Sequence, residues 1–150
     1  MNIIGIDPGA DGAVAIISPN RRRVDVIRFK NRTPQDWAKI LSVEMLEPCH
    51  AYLERVGAMP GQGVTSMFSF GRNVGVLMGI MAAIGMPYAE VPPQTWQKGV
   101  AIGGKFVTKA DRKRAHRDLA QRLFPGVNIT LADADALLIA EYGWRLNYQR

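Results

Sequence analysis

Cysteine is nearly absent from this sequence, since Cys49 is the only one among 150 residues. A lone thiol excludes an intramolecular disulfide and offers no repeated Cys/His spacing for a metal site. We therefore expect a reducing compartment. Cys49 itself we interpret as a small buried apolar residue.

Long hydrophobic runs are also missing. The most apolar stretch, residues 74–86, is about as long as a buried helix and too short to cross a bilayer. Residues 1–7 lack the basic start and the apolar core of a signal peptide. The sequence therefore predicts a soluble, cytoplasmic protein. Its hydrophobic content of 47% and the absence of repeats or linkers predict one domain, residues 1–150, with its own core.

Acidic residues are the scarcer charged class. The sequence has 13 Asp and Glu against 19 Lys and Arg, for a net charge of +6 and a pI near 9.8. This balance favours an acidic partner, most simply nucleic acid.

Basic residues are concentrated between positions 98 and 117, where glycines interrupt them. They are Lys98, Lys105, Lys109, Arg112, Lys113, Arg114 and Arg117. A glycine-bearing basic loop that leads into a basic helix can follow a phosphate backbone, although a solvated helix face is the alternative. His116 lies in the same segment, and we interpret it as a surface residue rather than a base.

The first half of the chain predicts three strands and a helix. Residues 2–9 form an apolar run closed by Pro and Gly, which indicates a buried strand, and residues 12–18 follow so closely that the two must form an antiparallel hairpin. Residues 23–29 alternate polar and apolar side chains, as an edge strand does. Thr33 can cap a helix that ends near Pro48.

The second half predicts strands and helices in alternation. Strands are indicated over residues 50–56 and 88–91, with a long helix over residues 65–85 between them. Basic residues then lead into a further helix, and a last helix begins around Thr130.

Four acidic residues lie where charge is costly. Asp7 ends the first strand, Glu54 lies on the fourth, and Asp133 and Asp135 lie in the last helix. A carboxylate next to the core needs a partner, and a divalent cation is the partner that several carboxylates most often share. The alternatives are an edge-strand pair between Glu54 and Arg55 or Arg72, and a capping box in which Asp133 pairs with Thr130.

The long helix places Gly71, Gly75, Gly79 and Ala83 four residues apart. Such a smooth stripe either rests on the protein's own sheet or forms a subunit contact, and we expect packing within the subunit. The loop over residues 57–66 is long and polar, with Met59 at its tip and Phe68 and Phe70 beyond it. A loop of this kind beside a suspected site is a candidate to touch a ligand.

These features together resemble the ribonuclease H-like fold, and specifically the RuvC-like Holliday junction resolvases. Four motifs in order carry the resemblance over essentially the whole chain. They are Gly5-Ile6-Asp7-Pro8-Gly9, Leu53-Glu54, Gly71-Arg72-Asn73-Val74-Gly75-Val76 and Asp133-Ala134-Asp135-Ala136-Leu137-Leu138-Ile139-Ala140. The fold implied is a five-stranded mixed sheet, with strands one to three as an antiparallel meander and then parallel strands, flanked by helices.

The resemblance implies a homodimeric endonuclease that makes paired symmetric nicks in four-way DNA junctions and leaves 5′-phosphate and 3′-hydroxyl ends. A compact resolvase of this kind suits a phage, by the habit of the family. It implies two Mg²⁺ ions, or Mn²⁺ in their place, held by Asp7, Glu54, Asp133 and Asp135, with Lys109 beside the scissile phosphate. The family usually spaces its last two acids three residues apart, whereas here they are two apart. The DNA-binding residues implied are Lys98, Lys105, Lys109, Arg112, Lys113 and Arg72.

The family also inserts an aromatic side chain at the junction shortly after its glutamate. Gly57 stands at that position in this sequence, so Met59 and Phe68 are the candidates to replace it.

Three other functions fit parts of the pattern. The Asp-Pro-Gly motif also resembles the phosphate loop of actin-like ATPases and sugar kinases, but those need a second lobe for which 150 residues leave no room. A related nuclease that acts on RNA would use the same acids. A non-catalytic DNA-binding module would use them only structurally.

Overall fold

The computed structural model describes residues 1–57, 61, 63–104 and 106–149. Their strands form one mixed sheet in the order β3-β2-β1-β4-β5. The strands are β1 Asn2–Asp7, β2 Ala13–Ile17, β3 Val24–Arg28, β4 Cys49–Glu54 and β5 Tyr88–Val91. The first three pair antiparallel, β4 pairs with β1 in parallel and β5 pairs with β4 in parallel, which confirms the expected five-stranded sheet with β3 at an edge.

Within the described residues, five helices flank the sheet: α1 Pro34–Glu44, α2 Val64–Ala83, α3 Pro93–Gly99, α4 Lys109–Leu123 and α5 Ala134–Tyr148. A capping box between Thr33 and Asp36, with Pro34 in the first turn, starts α1 where the sequence predicts it. The short α3 was not among the predicted elements. The last helix begins at Ala134, four residues later than the expected Thr130. No helix within the described ranges has the length and apolarity that a bilayer span requires.

The sheet separates two hydrophobic clusters. One lies under α5, α4 and α3 and includes Ile3 and Trp96, and the other lies under α1 and α2 and includes Ile4 and Leu53. Cys49 belongs to the second cluster and is a buried free thiol, as expected. Both faces of the central strands are therefore covered by helices.

Helix α5 packs directly on β1 because Gly5 has no side chain. A Cβ at Gly5 would collide with the carbonyl oxygen of Ala136 and the backbone nitrogen of Ala140. This close approach brings the first turn of α5, with Asp135, to the end of β1 where Asp7 lies.

The glycine stripe on α2 does not pack within the subunit, and that expectation is wrong. Of the 20 residues of α2, only Leu77 and Met81 are buried. A Cβ added at Gly71, Gly75 or Gly79 would meet nothing within 4 Å. The stripe faces away from the sheet because the larger apolar residues of the helix supply the surface that packs against the core.

Candidate active site

Three of the predicted acids line one open cleft of about 600 Å³ at the end of the sheet: Asp7, Glu54 and Asp135. They come from β1, β4 and α5. Because β1 and β4 are parallel and Ile6 pairs with Leu53, the acids that follow these two residues leave the sheet at the same edge. The fold thus brings together side chains that are up to 128 positions apart in the chain, from 7 to 135.

Asp7 is 9% exposed. Its Oδ1 accepts a hydrogen bond of 3.1 Å from the backbone N–H of Gly9. Burial and the nearby charge of Asp135 raise the pKa of Asp7, and this outweighs the opposing effects of Lys113 and the Gly9 amide. In this arrangement of the site, the ionised form of Asp7 therefore destabilises the folded protein.

Glu54 has a partner that the sequence did not predict. The indole N–H of the fully buried Trp96 donates a hydrogen bond of 2.9 Å to Glu54 Oε1. Burial, followed by the charge of Asp7, raises the pKa of Glu54 to about 7. The expected alternative partners, Arg55 and Arg72, are not the ones found.

Asp135 has partners on both oxygens, and both come from α4. The Lys113 ammonium donates to Oδ2 at 2.5 Å, and His116 Nδ1 lies 2.6 Å from Oδ1. Burial alone would raise the pKa of Asp135, but the His116 hydrogen bond and the Lys113 charge outweigh it and lower the pKa. The same pairing raises the pKa of Lys113 against the effect of burial.

His116 is not a surface residue, and that expectation is corrected. It is 1% exposed and lies edge-on to the ring of Trp96, at 5.5 Å between centroids. It is buried because α4 turns the face with His116 and Ala120 toward α5. Lys113, expected on a DNA-binding surface, likewise points into the cleft.

Asp133 is not brought to the other three acids. Arg28 Nε donates to Asp133 Oδ1 at 2.7 Å, and the Thr130 N–H and hydroxyl donate to Oδ2 at 2.9 and 2.7 Å. Burial would raise the pKa of Asp133, but the hydrogen bonds from Arg28 and Thr130 lower it. Asp133 precedes the first turn of α5 and tethers it to β3, so the bond with Thr130 that the sequence suggested is present.

The other predicted residues are spread over several surfaces. Lys109 and Arg112 line the acidic cleft together with Lys113, whereas Arg72 lines a second cavity. Lys98 is exposed on α3, and Phe68 is 72% exposed on α2. Lys105 and Met59 lie outside the described residues.

The three cleft acids suit a hard cation by their chemistry, because they offer only oxygen donors and two of them carry raised pKa values. As they are arranged, no three Asp, Glu, His or Cys side chains of the described residues stand close enough to hold one ion. In this arrangement Lys113 provides the positive charge beside Asp135. The donor chemistry of these three acids therefore fits a hard divalent cation.

No protein-family model matches the chain, and no curated protein matches it significantly. Solved structures do match. The RuvC of Thermus thermophilus in complex with a Holliday junction substrate has 15% identity and a TM-score of 0.63, with 98% of this chain and 95% of that chain covered. A second Thermus thermophilus RuvC structure has 15% identity, a TM-score of 0.61 and coverages of 98% and 96%.

A third match is the yeast mitochondrial Holliday junction resolvase Ydc2, with 16% identity, a TM-score of 0.49 and coverages of 98% and 80%. The two RuvC matches confirm the predicted fold: the chain has the mixed five-stranded, helix-flanked architecture of RuvC.

Proposed function

We propose that this chain is a metal-dependent, structure-selective endodeoxyribonuclease that resolves four-way DNA junctions by paired symmetric nicks. The observation that supports this proposal most directly is the convergence of Asp7, Glu54 and Asp135 in a cleft that cationic side chains also line. Two solved neighbours with this fold are RuvC structures, one of them in complex with a Holliday junction substrate. Residues 1–150 would form one nuclease domain.

In this proposal the carboxylates of Asp7, Glu54 and Asp135 hold Mg²⁺, or Mn²⁺ in its place, with two ions expected. Bound metal would lower the pKa of a water and stabilise the departing 3′-oxygen, so that the products carry 5′-phosphate and 3′-hydroxyl ends. Trp96 orients Glu54 through its indole N–H. His116 orients Asp135 through the contact between its Nδ1 and Asp135 Oδ1. Asp133 is not included as a ligand because it does not line the cleft, and its carboxylate binds Arg28 and Thr130 instead.

Cationic side chains would hold the substrate at the same cleft. Lys109 and Arg112 are exposed on its wall, so they can meet a phosphate that enters. Their contacts would position the DNA without reading its sequence. Lys98 would extend this surface along α3.

A homodimer fits this proposal because two sites related by a two-fold axis suit a near-symmetric four-way substrate. Helix α2 is the element we assign to the dimer contact. Val64 and Phe68, which are 86% and 72% exposed, continue the line of the open Gly71, Gly75 and Gly79. Small residues at this spacing let a second helix approach closely, and the exposed apolar side chains would be covered by it.

The test compares nicking of a four-way junction, a linear duplex and an RNA–DNA hybrid in Mg²⁺ by the wild type and by Asp7→Asn. We expect the wild type to nick the junction at symmetric positions. Asp7→Asn should bind the junction and lose more activity than the roughly 10–100-fold typical of outer-shell changes around a metal. Asp118→Asn, an exposed aspartate on α4, is the matched control and should nick like the wild type.

Each of the other outcomes would change the assigned function in a different way. Nicking that survives in Asp7→Asn would remove Asp7 from the chemistry. Preference for the hybrid would favour an RNA-directed nuclease, and junction binding without nicking in either Mg²⁺ or Mn²⁺ would indicate a binding module.

A further inference from the structure

A second cavity, of about 330 Å³, lies next to the acidic cleft and is not used by the chemistry proposed above. It is bounded by the loop after β1, the end of β3, the start of α1 and the middle of α2. Its volume is at the lower end of the range for small-molecule sites, which is enough for about one nucleotide.

The charges of this cavity are all of one sign. Arg32 and Arg72 reach it from two different elements, and both are exposed. None of the described residues that line it is acidic, whereas four acids line the neighbouring cleft. Within the described part of the chain, neither arginine forms an ion pair with a carboxylate. Two arginines so placed suit a phosphate group.

The apolar part of the cavity is aromatic. Phe29 and Trp37 pack against each other with their ring centroids 4.4 Å apart. Both residues line the cavity, where Trp37 is buried and Phe29 is only partly buried. The contact with Trp37 fixes the Phe29 ring at the cavity wall. A fixed, partly exposed ring is the kind of surface on which an unstacked nucleobase stacks.

The cavity and the acidic cleft share one wall, formed by Gly9 and Ala10. These two residues follow Asp7 and Pro8 directly, and neither has a side chain larger than a methyl group. A ligand bound in the acidic cleft can therefore extend over these two small residues into the cavity. A ligand that extends over both spaces must be long, negatively charged and partly aromatic.

We propose that this cavity binds a nucleotide of the substrate strand beside the scissile phosphodiester, with its base against Phe29 and its phosphate between Arg32 and Arg72. The inference rests on the proposed nuclease function, since it assigns a subsite to that same substrate. It follows that the nucleotide next to the cut is unstacked from its neighbours in the complex.

The test uses Asp7→Asn protein, which does not cut its substrate, and a labelled four-way junction over a series of salt concentrations. Arg32→Gln/Arg72→Gln should weaken binding and lower the slope of log K against log salt by about two, one for each lost phosphate contact. Arg22→Gln is the matched control, because Arg22 is an exposed arginine in the β2–β3 turn at the opposite end of the sheet. This substitution should leave the affinity of the site unchanged. It should lower the salt slope by no more than the contribution of one charge.

The aromatic contact is tested separately. Phe29→Leu keeps an apolar side chain but removes the ring, and it should weaken binding roughly tenfold while leaving the salt slope unchanged. Phe29→Tyr keeps the ring and should bind like the parent. A 2-aminopurine beside the mapped nick site should brighten on binding, and less so with Phe29→Leu. Melting curves of each variant show whether the fold is intact.

The outcomes separate this subsite from the proposed function. A double arginine variant with the slope of Arg22→Gln, or a Phe29→Leu variant with parental affinity and fluorescence, would overturn the subsite while junction nicking by the wild type still stands. If the wild type neither binds nor nicks branched DNA, the proposed function fails, and the subsite fails with it.

Discussion

Asp133 and Asp135 are two positions apart, yet their surroundings assign them different roles. Asp135 faces Lys113 and His116 in the cleft, whereas Asp133 faces Arg28 on the neighbouring strand. Both carboxylates have lowered pKa values, in each case because hydrogen-bonding partners outweigh burial. Substitution of Asp133 and of Asp135 should therefore have different effects, although the pKa values of the two carboxylates shift in the same direction.

We predict that Asp133→Asn lowers the stability of the protein and leaves nicking largely intact. The amide keeps the size of the side chain but loses the charge that Arg28 and Thr130 bind, at a cost of about 1–3 kcal/mol. Asp135→Asn should instead abolish nicking. Melting temperatures and nicking rates of the two variants, measured side by side, check this. Loss of nicking with unchanged melting in Asp133→Asn would return Asp133 to the ligand set.

For individual residues, the sequence identified three acids of the cleft but not the side chains that form hydrogen bonds with them. Trp96 is 42 positions from Glu54, and His116 is 19 positions from Asp135. Local periodicity carries no information about such contacts. The amphipathic pattern of α4 was a usable signal for His116, because Ala120 and His116 lie four apart on the same helix face.

Helix α2 is the element whose composition agrees least with its surroundings. It is rich in apolar residues, but most of its length is exposed. A helix that is apolar on the face turned to solvent is normally covered by a partner. The assignment of the dimer contact to α2 follows from this exposure.

We predict that Gly75→Glu converts a dimer into a monomer without unfolding it. A Cβ at Gly75 meets nothing within 4 Å in the subunit, so the new carboxylate is tolerated there but would be buried and repelled at a two-fold contact. Gly126→Glu is the matched control, because its Cβ is equally unobstructed in the loop before α5. Sedimentation velocity measures the outcome. A wild type that is already monomeric, or a dimer that survives Gly75→Glu, would exclude α2 as the contact.

Taken as a whole, the molecule carries a net charge of +6 but lines one cleft with four carboxylates, those of Asp7, Asp11, Glu54 and Asp135. The basic surface attracts a polyanion, while the cleft attracts cations. Crowded, partly buried carboxylates destabilise the folded state when they are ionised, and Lys113 offsets this only in part. When no cation is bound, these ionised carboxylates therefore lower the free energy of unfolding of the protein.

We predict that Mg²⁺ raises the melting temperature of the wild type and that Asp7→Asn melts higher than the metal-free wild type. A folded-state pKa above the unfolded value means that ionised Asp7 is destabilising at neutral pH, so a neutral isostere removes a cost. At tenfold above its Kd, bound Mg²⁺ adds about 1.4 kcal/mol, or roughly 3–6 °C for a chain of this size.

Thermal melts with and without Mg²⁺ measure this prediction. Asp7→Asn should lose the response to Mg²⁺, and Asp133→Asn should keep it. An equal Mg²⁺ response in the wild type and in Asp7→Asn would show that the ion binds elsewhere.

The sequence by itself determined all five strands, the longer helices and the order in which they follow, because hydrophobic periodicity, caps and turn residues are local. It therefore predicted the meander, the parallel strands, the acids Asp7 and Glu54 on strands one and four, and Asp135 in the last helix. Only the tertiary structure decided which side chains meet. It separated Asp133 from Asp135, buried His116 and turned the glycine stripe of α2 outward, because packing of distant elements, starting with α5 on Gly5, sets which face of each helix is covered.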